Sequence, residues 1–207
     1  MEFSKLARAV ASSNDKFPRE LGFVMKTIDD MTFGTTMDKE SFKAQFWDMF
    51  VADTLIGNDD RHLDNWGFLV KGNHIRFAPV YDCGSALTPL MEDEKMAAIL
   101  KDETAFINQE YNVKSAYRYQ GKRLFYHEIY KNPPQGLKEA ILRIVPKINV
   151  AFLSAAIIRT TPEMSEIRKE YLSKSLMTRY DRILLPSFKR VRKEINYFPQ
   201  QPEERRR

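Results

Sequence analysis

The stretch that decides the fold of this chain reads LIGNDDRHLDN at residues 55–65, and the segment YDCG follows at residues 81–84. In the first stretch Asp60 precedes Asn65 by five positions, and in the second Asp82 lies before a small residue and a glycine. All three side chains carry oxygen atoms that bind protons or hard metal ions. The spacing therefore predicts one polar site built from two separate segments.

The sequence around these segments has the periodicity of regular structure. Residues 46–55 form a largely apolar run that predicts a helix leading into the first segment. Residues 66–70 and 75–78 predict two short strands, joined by a turn at residues 71–73. A helix, a polar loop with a base, a hairpin and then a metal-binding aspartate is the order found in the larger lobe of a kinase.

Phosphoryl transfer explains why these residue types would occur together. The protein contributes little covalent chemistry to that reaction, so positioning and charge neutralisation supply most of the rate. Asp60 would orient the attacking hydroxyl and accept its proton, while Asn65 and Asp82 would hold magnesium beside the phosphates of the nucleotide. Gly84 would let the chain turn sharply after the metal ligand. The alternative is that Asn58, Asp59, Asp60 and Asp64 only cap helices and form a polar turn.

Residues 46–88 resemble the HipA family of bacterial kinases, and most of all its CtkA-like branch. The resemblance continues to about Leu185 and thus covers most of the chain. The segments that carry it are FWDMF at residues 46–50, GNDDRH at 57–62, NWGF at 65–68 and APVYDCGS at 78–85. An aspartate and an asparagine at this spacing are common by chance, so the flanking segments give the pattern its specificity.

The resemblance implies a protein-kinase-like fold and a phosphorylation of serine or threonine that depends on ATP and magnesium. By position, Asp60 matches the catalytic aspartate of the family, Asn65 its metal-binding asparagine and Asp82 its second metal ligand. His62 and Arg61 lie on the same loop and are expected to support it. Relatives in this family often belong to toxin–antitoxin systems, so the resemblance also implies a protein substrate and an antitoxin-like DNA-binding partner.

A kinase also needs a second, mainly β lobe with a glycine-rich loop over the phosphates and a strand lysine. Residues 1–45 contain neither a G-x-G-x-x-G motif nor a V-A-I-K-like strand. The predicted fold class is therefore a mainly α, protein-kinase-like C-terminal lobe with a small β-hairpin, in which the N-terminal β-lobe is absent. Three segments are expected: a helical connector at residues 1–45, the lobe at 46–186 and a basic, flexible tail at 187–207. Such a chain would be a fragment, a degraded copy or one half of a split kinase.

The segments after the second motif are predicted to be mostly helical. Helices are expected at residues 91–100 and 137–145. A last helix is expected to start at the Thr-Pro-Glu sequence of residues 161–163 and to end at Pro186. Residues 105–127 mix aromatic and basic side chains, which favours an irregular loop packed on the lobe. Contact with a protein substrate, or stacking on single-stranded nucleic acid, is the alternative for that region.

Composition limits the class of protein. The chain has 207 residues, of which 43% are hydrophobic and 29% charged, as expected for a soluble globular domain. No apolar run approaches the roughly 20 residues of a membrane span, and the first residues lack a secretory signal. Cys83 is the single cysteine, expected to pack as a small hydrophobic side chain in a cytoplasmic protein. The net charge of +5 is concentrated late in the chain, and direct binding of nucleic acid is not expected.

Three functions remain open on the sequence alone. The first is a kinase lobe that transfers the γ-phosphate of ATP to a protein serine or threonine, once a missing or separately encoded β-lobe is supplied. The second is a lipid kinase, because phosphatidylinositol kinases are similar in carrying D-R-H-x-x-N, as residues 60–65 do. The third is a non-catalytic, truncated remnant that keeps the fold and acts as a binding module.

Overall fold

The computed structural model describes residues 1–11, 19–32, 36–72 and 74–197. Helices dominate these residues, and the strands form two separate two-stranded antiparallel sheets, β1–β2 and β3–β4. The elements in chain order are α1 (Phe3–Ala11), α2 (Leu21–Asp29), α3 (Thr36–Ile56), β1 (Phe68–Lys71), β2 (His74–Phe77), α4 (Asp93–Leu100), α5 (Glu103–Tyr111), β3 (Lys114–Tyr119), β4 (Lys122–Phe125), α6 (Tyr126–Lys131), α7 (Gln135–Ile144), a 3₁₀ turn (Val145–Lys147), α8 (Val150–Thr160), α9 (Glu166–Arg179), a π-helical turn (Tyr180–Leu184) and α10 (Leu185–Tyr197).

Helix α3 is the central helix of the fold, and its buried face leads to the candidate site. Phe42, Phe46, Met49 and Phe50 recur at helical spacing and are buried in the core, where α7 packs along α3. Burying one such side chain contributes about 1.5–3 kcal/mol, so this face fixes the helix firmly. The same stripe continues to Asp53, which is also buried. The helix therefore carries one carboxylate into the interior, directly beneath the first motif segment.

The first residues of the chain join the β1–β2 hairpin. The Phe68 amide donates to the Met1 carbonyl at 2.8 Å, and the Phe3 amide donates to the Trp66 carbonyl at 2.9 Å. The Phe3 ring stacks on Trp66 with the ring centroids 4.2 Å apart. A Cβ atom on Gly67 would collide with the Met1 carbonyl, so this approach of two backbones requires glycine. The hairpin is thus extended by the N-terminal segment.

The boundary expected at residue 45 is not a structural boundary. Helix α3 crosses it without interruption. Phe3 and Leu6 of α1 and Val24 and Ile28 of α2 are buried in the same hydrophobic core as α3. Because one continuous core holds both parts, the described residues of the predicted connector belong to the lobe itself.

A second hairpin occupies the region after α5, so the irregular loop expected at residues 105–127 is wrong. Helix α5, strands β3 and β4 and the start of α6 fill that region. Strand β3 pairs with β4 so that Arg118 lies opposite Arg123. Gln120 and Gly121, with φ values of +51° and +76°, form the turn between the strands.

Helix α9 begins later than the Thr-Pro-Glu signal predicted. The Thr161 hydroxyl donates to the Ile157 carbonyl at 2.6 Å, so this threonine completes the end of α8 instead of capping a new helix. The cap of α9 is Ser165, whose Oγ accepts from the Arg168 amide at 3.2 Å. A hydroxyl side chain can bond to the last carbonyls of one helix or cap the start of the next. Here the packing of α8 on α9 determines that Thr161 bonds to the end of α8.

The chain continues as a helix beyond Pro186, so the flexible tail expected from residue 187 is wrong for residues 187–197. The π-helical turn before α10 is wider than an α-turn and admits the proline, which would otherwise clash with the carbonyl four residues earlier. Ser187 Oγ then donates to the Tyr130 carbonyl at 3.0 Å, and Val191 is 1% exposed. The rest of the predicted tail, residues 198–207, lies outside the described residues.

No single helix among the described residues is long and apolar enough to cross a membrane. The helices at Gln135–Lys147 and Val150–Thr160 meet the length and composition criterion only as a pair bent by 68°.

Candidate active site

Helix α3 ends at the loop that carries the predicted base, and a glycine makes this ending possible. Gly57 has a φ of +65°, in the left-handed region that glycine adopts without steric cost. The next residue, Asn58, is buried and bonds back to the helix: Nδ2 donates to Asp53 Oδ1 at 2.9 Å. Asn58 Oδ1 accepts from the backbone amide of Asp60 at 3.3 Å. The start of the loop is therefore fixed by α3 before Asp60 is reached.

Arg61 is the centre of the hydrogen bonding in this site, and it is almost fully buried. Its Nε and Nη2 donate to the two carboxylate oxygens of Asp53 at 2.9 and 3.0 Å, the bidentate geometry that arginine favours. Nη1 donates to the Asn65 carbonyl at 2.6 Å and to the Tyr81 carbonyl, while Nη2 contacts Cys83 Sγ at 3.2 Å. One guanidinium group thus connects the first motif segment to the second.

Burial and pairing act in opposite directions on the Asp53–Arg61 pair. Burial lowers the pKa of Arg61, but the hydrogen bond and charge of Asp53 outweigh it and raise that pKa above its ordinary value. Burial raises the pKa of the Asp53 carboxyl, against the lowering influence of Arg61 and Asn58. Arg61 therefore stays charged. Because desolvation offsets much of the Coulomb attraction, the pair fixes geometry more than it adds net stability.

Asp60 and Asn65 are joined through their loop. Asn65 is buried, and its Nδ2 donates to the Asp60 carbonyl at 2.8 Å. The amide nitrogen is committed to this bond, so Oδ1 is the amide atom that a metal could take. The Asp60 side chain is 51% exposed and lines a cleft of about 550 Å³ with Asp59 and Ser85. The predicted base is therefore open to a substrate from the cleft.

Asp82 adopts an unusual backbone conformation. Its φ is +54°, in the left-handed region that a non-glycine residue adopts at a cost of about 1–2 kcal/mol. The residues on either side, Tyr81 and Cys83, are the ones that Arg61 holds. Cys83 is exposed, so the expectation that it packs as a hydrophobic side chain is wrong. Asp82 is thus attached, through its neighbours, to the loop of Asp60 and Asn65.

Gly84 lies in the turn that the sequence predicted after Asp82: the Ala86 amide donates to the Cys83 carbonyl at 2.9 Å across it. Its φ lies outside the left-handed region, and Asp82 adopts that conformation instead. A Cβ on Gly84 would lie 3.8 Å from Asp82 Oδ1, an ordinary contact. Gly84 lines a neighbouring cleft of about 810 Å³, together with Asp59 and Ser85. The two motif segments therefore border the same open region.

His62 lies between two carboxylates of the loop. Its Nε2 is 3.8 Å from Asp60 Oδ2, and its Nδ1 is 3.5 Å from Asp64 Oδ2. Nδ1 also accepts from the backbone amide of Asp64 at 3.2 Å. The imidazole thus braces the loop on the side of the predicted base, as the sequence analysis expected of a supporting residue.

The structure adds a supporting pair that the sequence analysis missed. Arg179, near the end of α9, forms a buried ion pair with Glu110 and donates to the Leu55 carbonyl at 3.2 Å. Burial lowers the pKa of Arg179. A Cβ on Gly57 would lie 2.5 Å from Arg179 Cζ, so the guanidinium packs directly against the loop's first residue. Glu110 Oε1 accepts from the Tyr171 hydroxyl at 2.8 Å.

A local motif could not have revealed that pair, because Arg179 lies 124 positions from Leu55. Asp53 and Asn58, the partners of Arg61 and Asp60, lie within or next to the quoted motif and could have been found from it. The sequence signal for these partners was Asp53, a carboxylate at a position of α3 where the spacing predicts a buried apolar side chain. A buried carboxylate requires hydrogen-bonding partners.

The donor atoms at the two segments suit magnesium. Asn65 offers an amide oxygen and Asp82 a carboxylate, and magnesium prefers such hard oxygen ligands, few in number, with phosphates and water completing its shell. Among the described residues, no three or more His, Cys, Asp or Glu side chains form a group able to hold a metal ion.

Comparisons with known proteins give the context of this site. A family model described as the HipA-like C-terminal domain matches residues 5–150. The serine/threonine-protein kinase CtkA of Helicobacter pylori is 36% identical over 169 residues, which are 79% of this chain and 51% of that protein. The crystal structure of a Helicobacter pylori proinflammatory kinase CtkA matches with a TM-score of 0.86 and 32% identity, over 94% of this chain and 71% of that one.

These matches confirm the fold class expected from the sequence, a mainly helical, kinase-like C-terminal lobe. The chain spans about half the length of the curated relative that it matches. In the part of the chain that the structure describes, strands occur only in the two hairpins and the short bridges beside them.

Proposed function

Because this chain belongs to the family of HipA-like C-terminal domains, as its sequence resemblance predicted, we propose that it is the catalytic lobe of a serine/threonine protein kinase. The reaction is transfer of the γ-phosphate of ATP to a protein hydroxyl. The observation that carries the proposal is the position of Arg61. It is buried, paired with Asp53 and bonded to both motif segments, so it links the loop of Asp60 and Asn65 to the segment that contains Asp82.

In this reaction Asp60 orients the attacking hydroxyl and takes up its proton. Its backbone is held by Asn58 and Asn65, and its carboxylate faces the cleft where an acceptor side chain could enter. His62 limits the movement of the carboxylate from the other side. The residues around Asp60 therefore pre-position it, which is the main contribution a protein makes to phosphoryl transfer.

Asn65 and Asp82 are the residues that would hold magnesium beside the phosphates. Magnesium bound there would neutralise the negative charge that develops on the transferred group. The chain's own task is to keep an amide oxygen and a carboxylate in a fixed relation. Arg61 supports this by binding the Asn65 carbonyl, the Tyr81 carbonyl before Asp82 and the Cys83 sulfur after it.

The other parts of the proposal rest on the resemblance. ATP binding would need a β-lobe, in the same polypeptide or as a separate chain, because a kinase cleft is walled by both lobes. A protein substrate and an antitoxin-like DNA-binding partner complete the proposed system. A cytoplasmic location fits the exposed thiol of Cys83, since free thiols persist in reducing compartments.

The test is phosphate transfer from radiolabelled ATP to protein, with the chain combined with a β-lobe. We expect Asp60→Asn and Asp82→Asn each to reduce transfer roughly a hundredfold or more, because each removes a group that acts on the reacting atoms. Asp59→Asn is the matched control: it removes a neighbouring exposed carboxylate on the same cleft and should leave most of the activity.

Unchanged transfer by either site variant would refute the assigned roles. Transfer to phosphatidylinositol vesicles in preference to protein would favour the lipid-kinase alternative. If the wild-type assembly transfers no phosphate although it binds ATP, the remnant alternative would be correct.

A further inference from the structure

Three arginines converge on the cleft that Asp60 lines. Arg19, Arg118 and Arg123 line this cleft of about 550 Å³ together with Asp59 and Asp60. We call these three residues the arginine cluster. The proposed reaction does not use the cluster: its base and its metal ligands all lie on the two motif segments.

The backbone holds the cluster in place. Arg118 lies on β3 directly opposite Arg123 on β4. The Arg118 amide donates to the Arg19 carbonyl at 2.6 Å, and Glu20 forms a parallel β-bridge with Arg118. The Gly121 amide in the hairpin turn donates to Glu20 Oε2 at 3.3 Å, which ties the same two segments together again. Strand pairing therefore brings the backbones of the three arginines together.

This arrangement costs stability unless an anion is present. Like charges directly opposite each other on paired strands repel. Among the described residues, none of the three forms an ion pair, whereas the buried or half-buried Arg61, Arg143, Arg168 and Arg179 each pair with a carboxylate of this chain. The Arg118 guanidinium donates only to the Gly121 carbonyl of its own turn. Three exposed arginines without an ion pair in the described part of the chain, on the cleft that Asp60 also lines, point to an anionic ligand.

We propose that the arginine cluster binds an acidic side chain of the protein acceptor, next to the serine or threonine that enters at Asp60. This inference rests on the proposed function and names the substrate class of the same site. The guanidinium fork matches the oxygens of a carboxylate or a phosphate, so aspartate, glutamate or phosphoserine can fill it. The cleft has the size of an ordinary ligand site and can hold more than one side chain.

The charges of the cleft also set the direction of the acceptor. Asp59 and Asp60 repel an anion, so the hydroxyl residue belongs next to these carboxylates and its acidic neighbour next to the arginines. A peptide with its acidic residue in place of the hydroxyl would be excluded. The cluster thus selects acceptors by the residue beside the phosphorylated one.

The experiment measures binding of fluorescein-labelled serine peptides to the 207-residue chain by fluorescence anisotropy, without ATP. The peptides differ only beside the serine, which is flanked by glutamate, phosphoserine or glutamine. We expect the two anionic peptides to bind roughly tenfold or more tightly than the glutamine peptide, and added salt to weaken their binding. Whichever anionic peptide binds more tightly identifies the natural anion.

Variants then locate the effect. Arg118→Gln and Arg123→Gln should each weaken binding of the anionic peptides roughly tenfold and leave the glutamine peptide unchanged. Lys122→Gln is the matched control, because it removes the same charge from the same hairpin but lies outside the lining of this cleft. Circular dichroism confirms that each variant is folded.

Equal binding of the anionic and glutamine peptides would overturn the proposal, as would an equal loss of binding in Lys122→Gln. Displacement of the peptides by a single-stranded oligonucleotide that binds more tightly through the same arginines would assign the cluster to nucleic acid instead. The assay contains no transfer step, so it can succeed or fail independently of the kinase activity.

Discussion

At the scale of single residues, Arg61 turns two motif segments into one site. Its partner Asp53 lies eight positions earlier on α3, and its contact with Tyr81 spans twenty positions. All these bonds come from one planar group, so a lysine could not replace them. The relative position of the two motif segments therefore depends on a residue that is not itself a candidate base or metal ligand.

We expect Arg61→Met to lower the free energy of unfolding by about 3–5 kcal/mol, because Asp53 would remain buried without its partner. Urea unfolding followed by circular dichroism measures this. The double variant Arg61→Met/Asp53→Leu should recover part of the loss. Lys174→Met, which removes an exposed ion pair with Glu170, should cost less than about 1 kcal/mol. If Arg61→Met lowered the free energy of unfolding as little as this control does, the buried pair would not be needed for stability.

A second residue-scale prediction concerns Gly57. We expect Gly57→Ala to cost about 2–4 kcal/mol, because it adds left-handed strain and places a Cβ 2.5 Å from the buried Arg179 Cζ. The control is Gly72→Ala, which has a φ of +57° but nothing within 4 Å of its Cβ, so only the backbone strain of about 1–2 kcal/mol applies. Equal unfolding midpoints for the two variants would exclude the steric role of Arg179.

At the scale of elements, the β3–β4 hairpin shows why sequence patterns can fail. Ser115 and Tyr117 are buried while Lys114 and Arg118 are exposed, which is the period of two expected of a half-buried strand. The period is hard to see in the sequence because a serine occupies one inward position. A hairpin that carries the arginine cluster was therefore interpreted as an irregular loop.

Helix α10 leads to a prediction at the same scale. We expect Val191→Ala to lower the free energy of unfolding by about 1–2 kcal/mol, because its side chain is 1% exposed and leaves a cavity when shortened. Ile195→Ala, four residues further at a position 53% exposed, should change stability by less than about 0.5 kcal/mol. Chemical denaturation of both variants distinguishes a packed helix from a flexible tail, in which neither change would matter.

At the scale of the whole molecule, distant elements hold one loop. Helix α3 provides Asp53, α9 provides Arg179, and the Tyr126 hydroxyl at the start of α6 donates to the Asn58 carbonyl at 2.6 Å, across 68 positions of sequence. The loop can therefore reach its geometry only when most of the lobe has folded. In unfolding experiments, the loop that contains Asp60 and the hydrophobic core should therefore unfold in the same transition.

We expect the 207-residue chain by itself to bind magnesium–ATP weakly, with a dissociation constant in the high micromolar range or above, because a nucleotide site usually lies between two lobes. Isothermal titration calorimetry measures this, with addition of a β-lobe as the positive control. Tight binding by the chain without that lobe would show that the described lobe forms the nucleotide site without help.

The sequence by itself determined the helix into the loop, the first hairpin, the three candidate side chains and the family. These features depend on contacts between near neighbours, so spacing and periodicity record them. Only the tertiary structure decided that the N-terminal segment joins the core, that the chain stays helical past Pro186, and that Arg179 supports Gly57. It also decided that Arg19 meets the β3–β4 arginines. Such contacts join residues far apart in the chain, and they arise from burial and strand register, which no local pattern encodes.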